Sequence, residues 1–436
     1  MKRNAIDSLF KWNREADIKP ALLTGMKGVG KTYLAYDFAK AFFKQILYLN
    51  FEHDPRVSEI FASSNPFSVS KNLLNYFKID EKSDESVLAE DRILILDEIG
   101  YCPNAFNILS TLQYTGEFTR IIAITSGPVN KNELNLYYHI PVYPLLFNEF
   151  LVAIASDWYI ETIITHFETN KKIPDIVHKE LLALFNLYLQ IGGMPAIINE
   201  YVSLGSLLNV PEQHKLLAGS GLYYLNSNYP DSDALKMQQV LGSLPNQLSK
   251  SNKKFQYKQI RKGTTHAMYK DAIKSLSELN YVIPSYKIPT EELNNINSLI
   301  EENALSIDDY TSFKLYLPDV GMLYSQLNCH TSPVDSPSDK EITRALLENF
   351  TAQTIKANGY PILFWESDSM AKVDFILPKE GSNIPVEIFC DNNTRSKSIS
   401  VLKQKMEFPY SIKISSRNFE YSSNIKYVPY YAVFCL

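Results

Sequence analysis

A short apolar run, Ala21-Leu22-Leu23-Thr24, ends directly in Gly25-Met26-Lys27-Gly28-Val29-Gly30-Lys31-Thr32, and the helical pattern YLAYDFAKAFF follows at once. Strand, GxxxxGKT loop and helix in that order form a P-loop. The glycines let the main chain curl until its N–H groups point inward at phosphate, and the start of the helix adds a positive dipole end. Lys31 is expected to reach the β- and γ-phosphates of a triphosphate, and Thr32 to ligate magnesium. ATP and Mg2+ are the expected ligands, held by Gly25, Met26, Lys27, Gly28, Val29, Gly30, Lys31, Thr32 and Tyr33.

A second signal lies about 65 residues downstream, the spacing at which acids complete a phosphate loop. In Arg92-Ile93-Leu94-Ile95-Leu96-Asp97-Glu98 an apolar run ends in two acids. Continuous apolarity suits a parallel strand buried on both faces. At its carboxyl end Asp97 would hold magnesium through water, and Glu98 would be the base that orients the attacking water. A third strand, Ile121–Ile124, runs into Thr125-Ser126-Gly127, where a hydroxyl, assigned to Thr125, would sense the γ-phosphate; an ordinary strand exit is the alternative. A strand at Ile46–Phe51 opening into Glu52–Arg56, and a helix from about Ala105 to Tyr114, complete an alternation. That alternation predicts a parallel, doubly wound sheet with its ligand at the strands' carboxyl ends.

With 436 residues the chain exceeds one hydrophobic core, and 45% hydrophobic, 12% aromatic and 21% charged residues leave no long segment to disorder. A net charge of -5 speaks against a nucleic-acid coat but not against a local basic face. Cys102, Cys329, Cys390 and Cys435 are far apart and form no CxxC pair, which argues against a zinc site or a disulfide framework. No apolar run approaches the roughly 20 residues that span a bilayer. A cytoplasmic protein without a membrane partner is expected.

The remainder divides by pattern. The first 150 residues hold the nucleotide motifs. Residues 151–230 show helical periodicity and are expected to form a lid and linker. Residues 231–330 suggest a helix, then Phe255–Ile260, then a helix through Met268–Leu279 leading into Tyr281–Pro284, the order of a winged helix-turn-helix. Lys253, Lys254, Lys258, Arg261, Lys262, His266, Lys270 and Lys274 cluster there. Contact with DNA phosphates and docking of a protein partner both remain open for that face.

Residues 331–436 read as a helix around Ile342–Ala357, strands Ile362–Glu366, Val373–Leu377 and Pro385–Cys390, a helix near Ser398–Met406, and a last strand or two. This resembles the restriction-endonuclease fold. The resemblance implies metal-binding acids at Glu348, Asp374 and Glu387, but Phe389 stands where such nucleases carry a lysine. The site is therefore expected to be degenerate, although a lysine on the following helix, Lys397 or Lys403, could compensate.

Further stretches carry a resemblance over nearly the whole chain. Pro144–Phe150 is similar to a "PLSFEEF" element, Tyr188–Ala196 to "YLxxGGMP", Lys314–Gly321 to "KLYFLDxG", and Glu348-Asn349-Phe350 to an "ENFV" helix. With the nucleotide motifs these resemble a large prokaryotic family of AAA-type P-loop ATPases with a C-terminal domain of unknown function. The family's Gly-Arg before "PLSFEEF", a plausible arginine finger, is replaced here by Tyr137-Tyr138-His139-Ile140-Pro141. Ring-forming AAA relatives lend an arginine between subunits, for which Arg92 and Arg120 are nominal candidates in a homo-oligomer. The expectation is an α/β chain built of a parallel P-loop sheet domain, helical lid, winged helix and nuclease-like tail. It would bind ATP and hydrolyse it slowly as a switch or regulator. An ATP-gated DNA-binding or DNA-cleaving enzyme, and a nucleotide-binding scaffold without turnover, are the alternatives.

Overall fold

The apolar runs of the sequence become strands with no exposed face. The computed structural model describes residues 3–15, 19–79, 89–301, 312–327, 339–367 and 371–436; Cys329 lies outside the described residues. The chain divides into two compact units, Met1–Tyr143 and Pro144–Leu436.

The first unit runs α1 (Ala5–Arg14), β1 (Ala21–Thr24), α2 (Lys31–Phe42), β2 (Gln45–Asn50), α3 (Pro66–Tyr76), β3 (Arg92–Asp97), α4 (Pro103–Leu112), β4 (Arg120–Thr125) and β5 (Tyr138–Pro141). Every residue of β1 and β3 is buried, as their continuous apolarity requires. The sheet has the order β2-β3-β4-β1-β5, and all its pairings are parallel. Because β4 lies between β1 and β3, the carboxyl ends carrying the glycine loop and Asp97 flank the end of β4. The expected parallel sheet is present, enlarged by β5, whose Tyr-His-Ile-Pro sequence carries too few apolar residues to announce a strand.

The second unit starts with the helices α5 (Phe147–Ala153), α6 (Trp158–Thr169), α7 (Asp175–Ile191), α8 (Pro195–Leu204) and α9 (Val210–Asn228). Then come α10 (Asp231–Leu248), α11 (His266–Glu278), β6 (Ile283–Lys287), α12 (Ile296–Glu301), β7 (Phe313–Tyr316) and α13 (Val320–Gln326). The tail holds α14 (Lys340–Ala357), β8 (Leu363–Glu366), β9 (Lys372–Lys379), β10 (Ser382–Ile388), α15 (Ser398–Leu402), β11 (Ser411–Ser415), β12 (Glu420–Ser422) and β13 (Ile425–Pro429). One eight-stranded sheet runs through both groups in the order β12-β13-β11-β10-β9-β8-β6-β7. Its seam is the parallel pair of β6 and β8, so hydrogen bonding passes directly across the point where a winged helix was expected to end and a nuclease-like tail to begin. Within 255–260 the chain forms a 3-10 turn at Tyr257–Gln259, and Phe255 alone donates its N–H to Phe313, across 2.8 Å.

The segments that carry the family resemblance in this unit meet at one buried node. Leu145 N donates to Gly193 O (2.7 Å), and Tyr188 Oη donates to Leu145 O (2.6 Å). Gly193 N donates to Asp319 Oδ2 (2.5 Å), Gln353 Nε2 to Tyr188 Oη (3.0 Å), and Asn349 exchanges two bonds with the main chain of Leu317. A Cβ on Gly193 would overlap the Leu145 carbonyl oxygen. Asp319 is fully buried; burial pushes its carboxyl up to about 6, although N–H groups of Gly193, Met322 and Gly321 favour the charged form. These residues build a core.

Candidate nucleotide site

The glycine loop joins β1 to α2 and takes the form that only glycine adopts without strain: Gly28 and Gly30 each have φ of 90°. Gly30 is also the residue before α2, and no side chain caps that helix, which leaves its first-turn amides to face a ligand. Lys31, the first residue of α2, is buried and folds back over the loop. Its Nζ donates to Gly25 O (2.8 Å), Met26 O (3.2 Å) and Ser126 Oγ (2.8 Å). Burial lowers this amine to about 8, against the opposing pull of Glu98 and Asp97. Lys27 of the same loop is ion-paired with Glu52, just beyond β2.

Asp97 closes β3 at 2% exposure. Its Oδ2 accepts from Thr32 Oγ1 (2.9 Å), Tyr48 Oη (2.7 Å) and Asn50 Nδ2 (3.2 Å), while its Oδ1 is buried without a hydrogen-bond partner. A buried carboxylate oxygen left bare beside a threonine hydroxyl fits magnesium, which keeps most of its waters and asks for few protein oxygens. Thr32 and Asp97, assigned to the metal from sequence, are thus in direct contact.

Glu98 follows in a left-handed conformation, φ 52°, rare for a residue with a Cβ. That turn bends its side chain toward the end of β4. Glu98 Oε1 accepts from Ser126 Oγ (2.5 Å) and Oε2 from Ser126 N (2.9 Å). The hydroxyl between the other two motifs therefore belongs to Ser126, whereas Thr125 Oγ1 accepts the N–H of Gly127 (3.0 Å) and makes no such bridge. Neighbouring residues at a strand end point opposite ways, so a one-residue difference decides which hydroxyl faces the loop. Tyr48 and Asn50 were not foreseen; their spacing on β2 was the available signal, because residues two apart share a face.

Neither nominal finger arginine faces this end of the sheet. Arg92 opens β3 and donates to Gln45 Oε1 (2.8 Å); Arg120 opens β4, bonds Asn13 and lies over the Trp12 ring. Both stand at the amino ends of their strands, committed to partners in their own unit.

In the tail, cations occupy the space around the three acids. Arg344 donates to Glu348 Oε1 (2.7 Å), Asp374 Oδ1 (2.5 Å) and the Ile388 carbonyl. Lys253 Nζ donates to Glu348 Oε1 (3.0 Å), and Lys314 lies 3.7 Å from its other oxygen. Despite complete burial, these cations hold the Glu348 carboxyl well below the usual carboxylate range. Glu387 accepts from Ser396 Oγ (2.5 Å) and lies 3.8 Å from Lys413, its register partner on β11. Lys413, rather than Lys397 or Lys403, is the lysine that comes near. Among the described residues no cluster of three or more acidic, histidine or cysteine side chains is arranged to hold a metal.

The basic cluster around α11 is also smaller than its sequence. Lys253 is buried against Glu348, and Lys254 donates to Glu366 Oε2 (2.8 Å). Lys258, Arg261, Lys262, His266 and Lys274 remain exposed.

Comparison with known proteins bears on this arrangement. Residues 17–151 match the AAA domain family, residues 182–332 a domain of unknown function (DUF8612), and residues 344–433 a domain of unknown function (DUF4143). No curated protein matches. Among solved structures, the Walker-type ATPase Paby2304 of Pyrococcus abyssi is 14% identical over 74% of this chain and 94% of that one, with a TM-score of 0.41. The Orc1 protein of Aeropyrum pernix, in complex with DNA, is 12% identical over 75% and 92%, with a TM-score of 0.29. Neither superposition is close enough to bear on what this chain does. The glycine loop, the paired acids and the AAA match coincide at the carboxyl ends of one parallel sheet, so residues 17–151 form an AAA domain with a P-loop, followed in the chain by two regions that match domains of unknown function.

Proposed function

We propose that this chain binds ATP with magnesium, hydrolyses it slowly, and acts as a switch whose nucleotide state is relayed to the second unit. The observation that carries the reading is the continuous contact from Lys31 through Ser126 to Glu98, beside the Thr32 and Asp97 pair. The loop amides and Lys31 receive the β- and γ-phosphates, and magnesium, once bound, neutralises charge on their oxygens. Thr32 and Asp97 are the residues that would hold the metal. Arrival of the γ-phosphate draws Lys31 away from its loop carbonyls and from Ser126. The Ser126 hydroxyl then turns to the phosphate, and Glu98 is released to orient water. Ser126 takes the sensing role expected of Thr125.

Slow turnover is favoured because both acids and the lysine are engaged with protein partners and Arg92 and Arg120 point elsewhere. An arginine finger is worth roughly 10³–10⁵ in rate where it acts. The test is titration with a fluorescent ATP analogue alongside phosphate release. Lys31→Ala abolishes affinity, whereas Glu98→Gln keeps it and loses release. Wild-type protein without magnesium-dependent nucleotide affinity would remove the proposal.

A second reading, contact with duplex DNA, is favoured by the exposed set Lys258, Arg261, Lys262, His266 and Lys274. Binding that weakens steeply between low and moderate salt, and is lost on Arg261→Glu with Lys262→Glu, supports it; salt-insensitive or absent binding counts against it. DNA cleavage by the tail is disfavoured by Arg344, which stands among the acids a metal would need.

A further inference from the structure

Three donors converge on one oxygen of Asp97 and leave its twin bare. Thr32 belongs to the phosphate loop and is accounted for by the proposed reaction. The other two, Tyr48 and Asn50, project from β2, and the P-loop sequence pattern gives them no role. In the parallel pairing of β2 with β3, Asn50 is the register partner of Asp97 itself and Tyr48 that of Ile95, so both side chains rise on the face where the carboxylate lies. They are also joined to each other, Asn50 Nδ2 donating to Tyr48 Oη at 3.1 Å as well as to the carboxylate at 3.2 Å. The Tyr48 ring is braced by Tyr36 of α2, with centroids 5.2 Å apart.

We infer that Tyr48 is a positioning residue for the magnesium site, fixing the Asp97 carboxylate so that Oδ1 faces the metal's water shell. The inference rests on the proposed nucleotide site and deepens it. A carboxylate held by one hydrogen bond swings about its Cβ–Cγ bond; one held on a single oxygen by three donors, one from α2 and two from β2, presents the remaining oxygen in a fixed direction. Magnesium tolerates little departure from octahedral geometry, so the direction of a ligand to its water matters as much as the ligand's charge. Asn50 extends the same control to the loop. Its Oδ1 accepts the N–H groups of Glu52 (3.0 Å) and His53 (2.8 Å), and Glu52 holds Lys27. The end of β2 therefore ties the metal-side acid and the glycine loop to one scaffold.

Tyr48→Phe removes the donor and keeps the ring against Tyr36. Affinity for a fluorescent ATP analogue is measured in EDTA and then across a magnesium titration, with wild type in parallel. The expected result is unchanged affinity in EDTA and a magnesium midpoint raised about tenfold, the low end of what losing an outer-shell partner costs a metal site. Tyr36→Phe, which keeps the ring contact and takes no bond from Asp97, is expected to retain the wild-type midpoint. An unchanged midpoint in Tyr48→Phe overturns the inference and leaves the nucleotide reading standing. Equal weakening in EDTA and in magnesium also overturns it, since that marks loss of fold rather than of metal geometry. Wild-type protein indifferent to magnesium overturns both.

Discussion

Ser126 gives its hydroxyl hydrogen to Glu98 across 2.5 Å and takes one from Lys31 across 2.8 Å, so one small side chain joins the phosphate-binding cation to the acid assigned to water. Its main-chain N–H holds the other Glu98 oxygen, so the acid is gripped at both ends. Replacing Ser126 by alanine is expected to lower turnover by about tenfold, the worth of one hydrogen bond to a charged group. It should also narrow the preference for ATP over ADP, because the γ-phosphate loses its link to Glu98. Thr125→Val should leave both within about twofold. A Thr125 variant more damaged than the Ser126 variant, in phosphate release and in nucleotide titration, reverses the assignment.

Burial sets the Lys31 amine at about 8 in the resting site, and a bound triphosphate raises it. The charged form binds phosphate, and the free protein loses that form as pH climbs past 8. Affinity for ATP should therefore be level with respect to this group below pH 8 and weaken toward tenfold per unit above it, until the amine of the complex titrates. Lys31→Arg, whose charge persists throughout, should abolish the slope even where its affinity is lower. Titrations at pH 7, 8 and 9 suffice; a flat wild-type profile contradicts the buried, loop-bound lysine.

Asp319 supplies a pH test of the second unit. Its folded pKa of about 6 lies above the 3.8 of an unhindered aspartate, so the folded chain binds more protons than the unfolded chain between those values. Stability must fall as pH rises through that window, by about 3 kcal/mol in all, and then hold steady as far as this group is concerned. Asp319→Asn has no such proton to lose, so its unfolding free energy should gain on wild type between pH 4 and 6.5. Denaturant melts at several pH values decide it, and parallel curves for the two proteins would argue that the carboxyl is not isolated from water.

The Leu145 and Gly193 contact leaves no space for a methyl group. Gly193→Ala should cost about 3 kcal/mol by overpacking, read as a lower denaturant midpoint. A midpoint within experimental error of wild type would mean that the turn and the segment around Leu145 separate easily.

Among the tail's charges, Glu348 is the common acceptor for Lys253 and Arg344. Glu348→Gln leaves those cations without their counter-charge and should destabilise the protein by about 3–5 kcal/mol. Plasmid incubated with wild-type protein and either magnesium or manganese should remain uncut. Nicking that disappears in Asp374→Ala would show instead that Arg344 yields its place to a metal.

Local pattern made the nucleotide site legible. β1, the glycine loop and α2 are adjacent in sequence, and β3 and β4 are apolar runs whose last residues must emerge at the sheet's carboxyl edge. What stayed hidden depends on register. Ser126 and Thr125 differ by one position, and only the pairing of β4 with its neighbours settles which hydroxyl meets Lys31. Tyr48, Asn50 and Lys413 act on acids far away in sequence, through strand partners that no spacing rule identifies. The basic residues near α11 were read as one face, yet Lys253 and Lys254 are claimed by Glu348 and Glu366 because α14 and β8, not adjacent in sequence, bring those acids in. The stretches that carry the family resemblance in the second unit were legible as a pattern, but their meaning as a packing node required the fold.

The pairing of β6 with β8 has a practical bearing on how the tail is dissected. A cut anywhere between 327 and 339 leaves each fragment with a raw row of amide and carbonyl groups where its neighbour used to be, an invitation to self-association. Deleting either half to assign it a role would report on stickiness, and point substitutions in the intact polypeptide are the cleaner instrument.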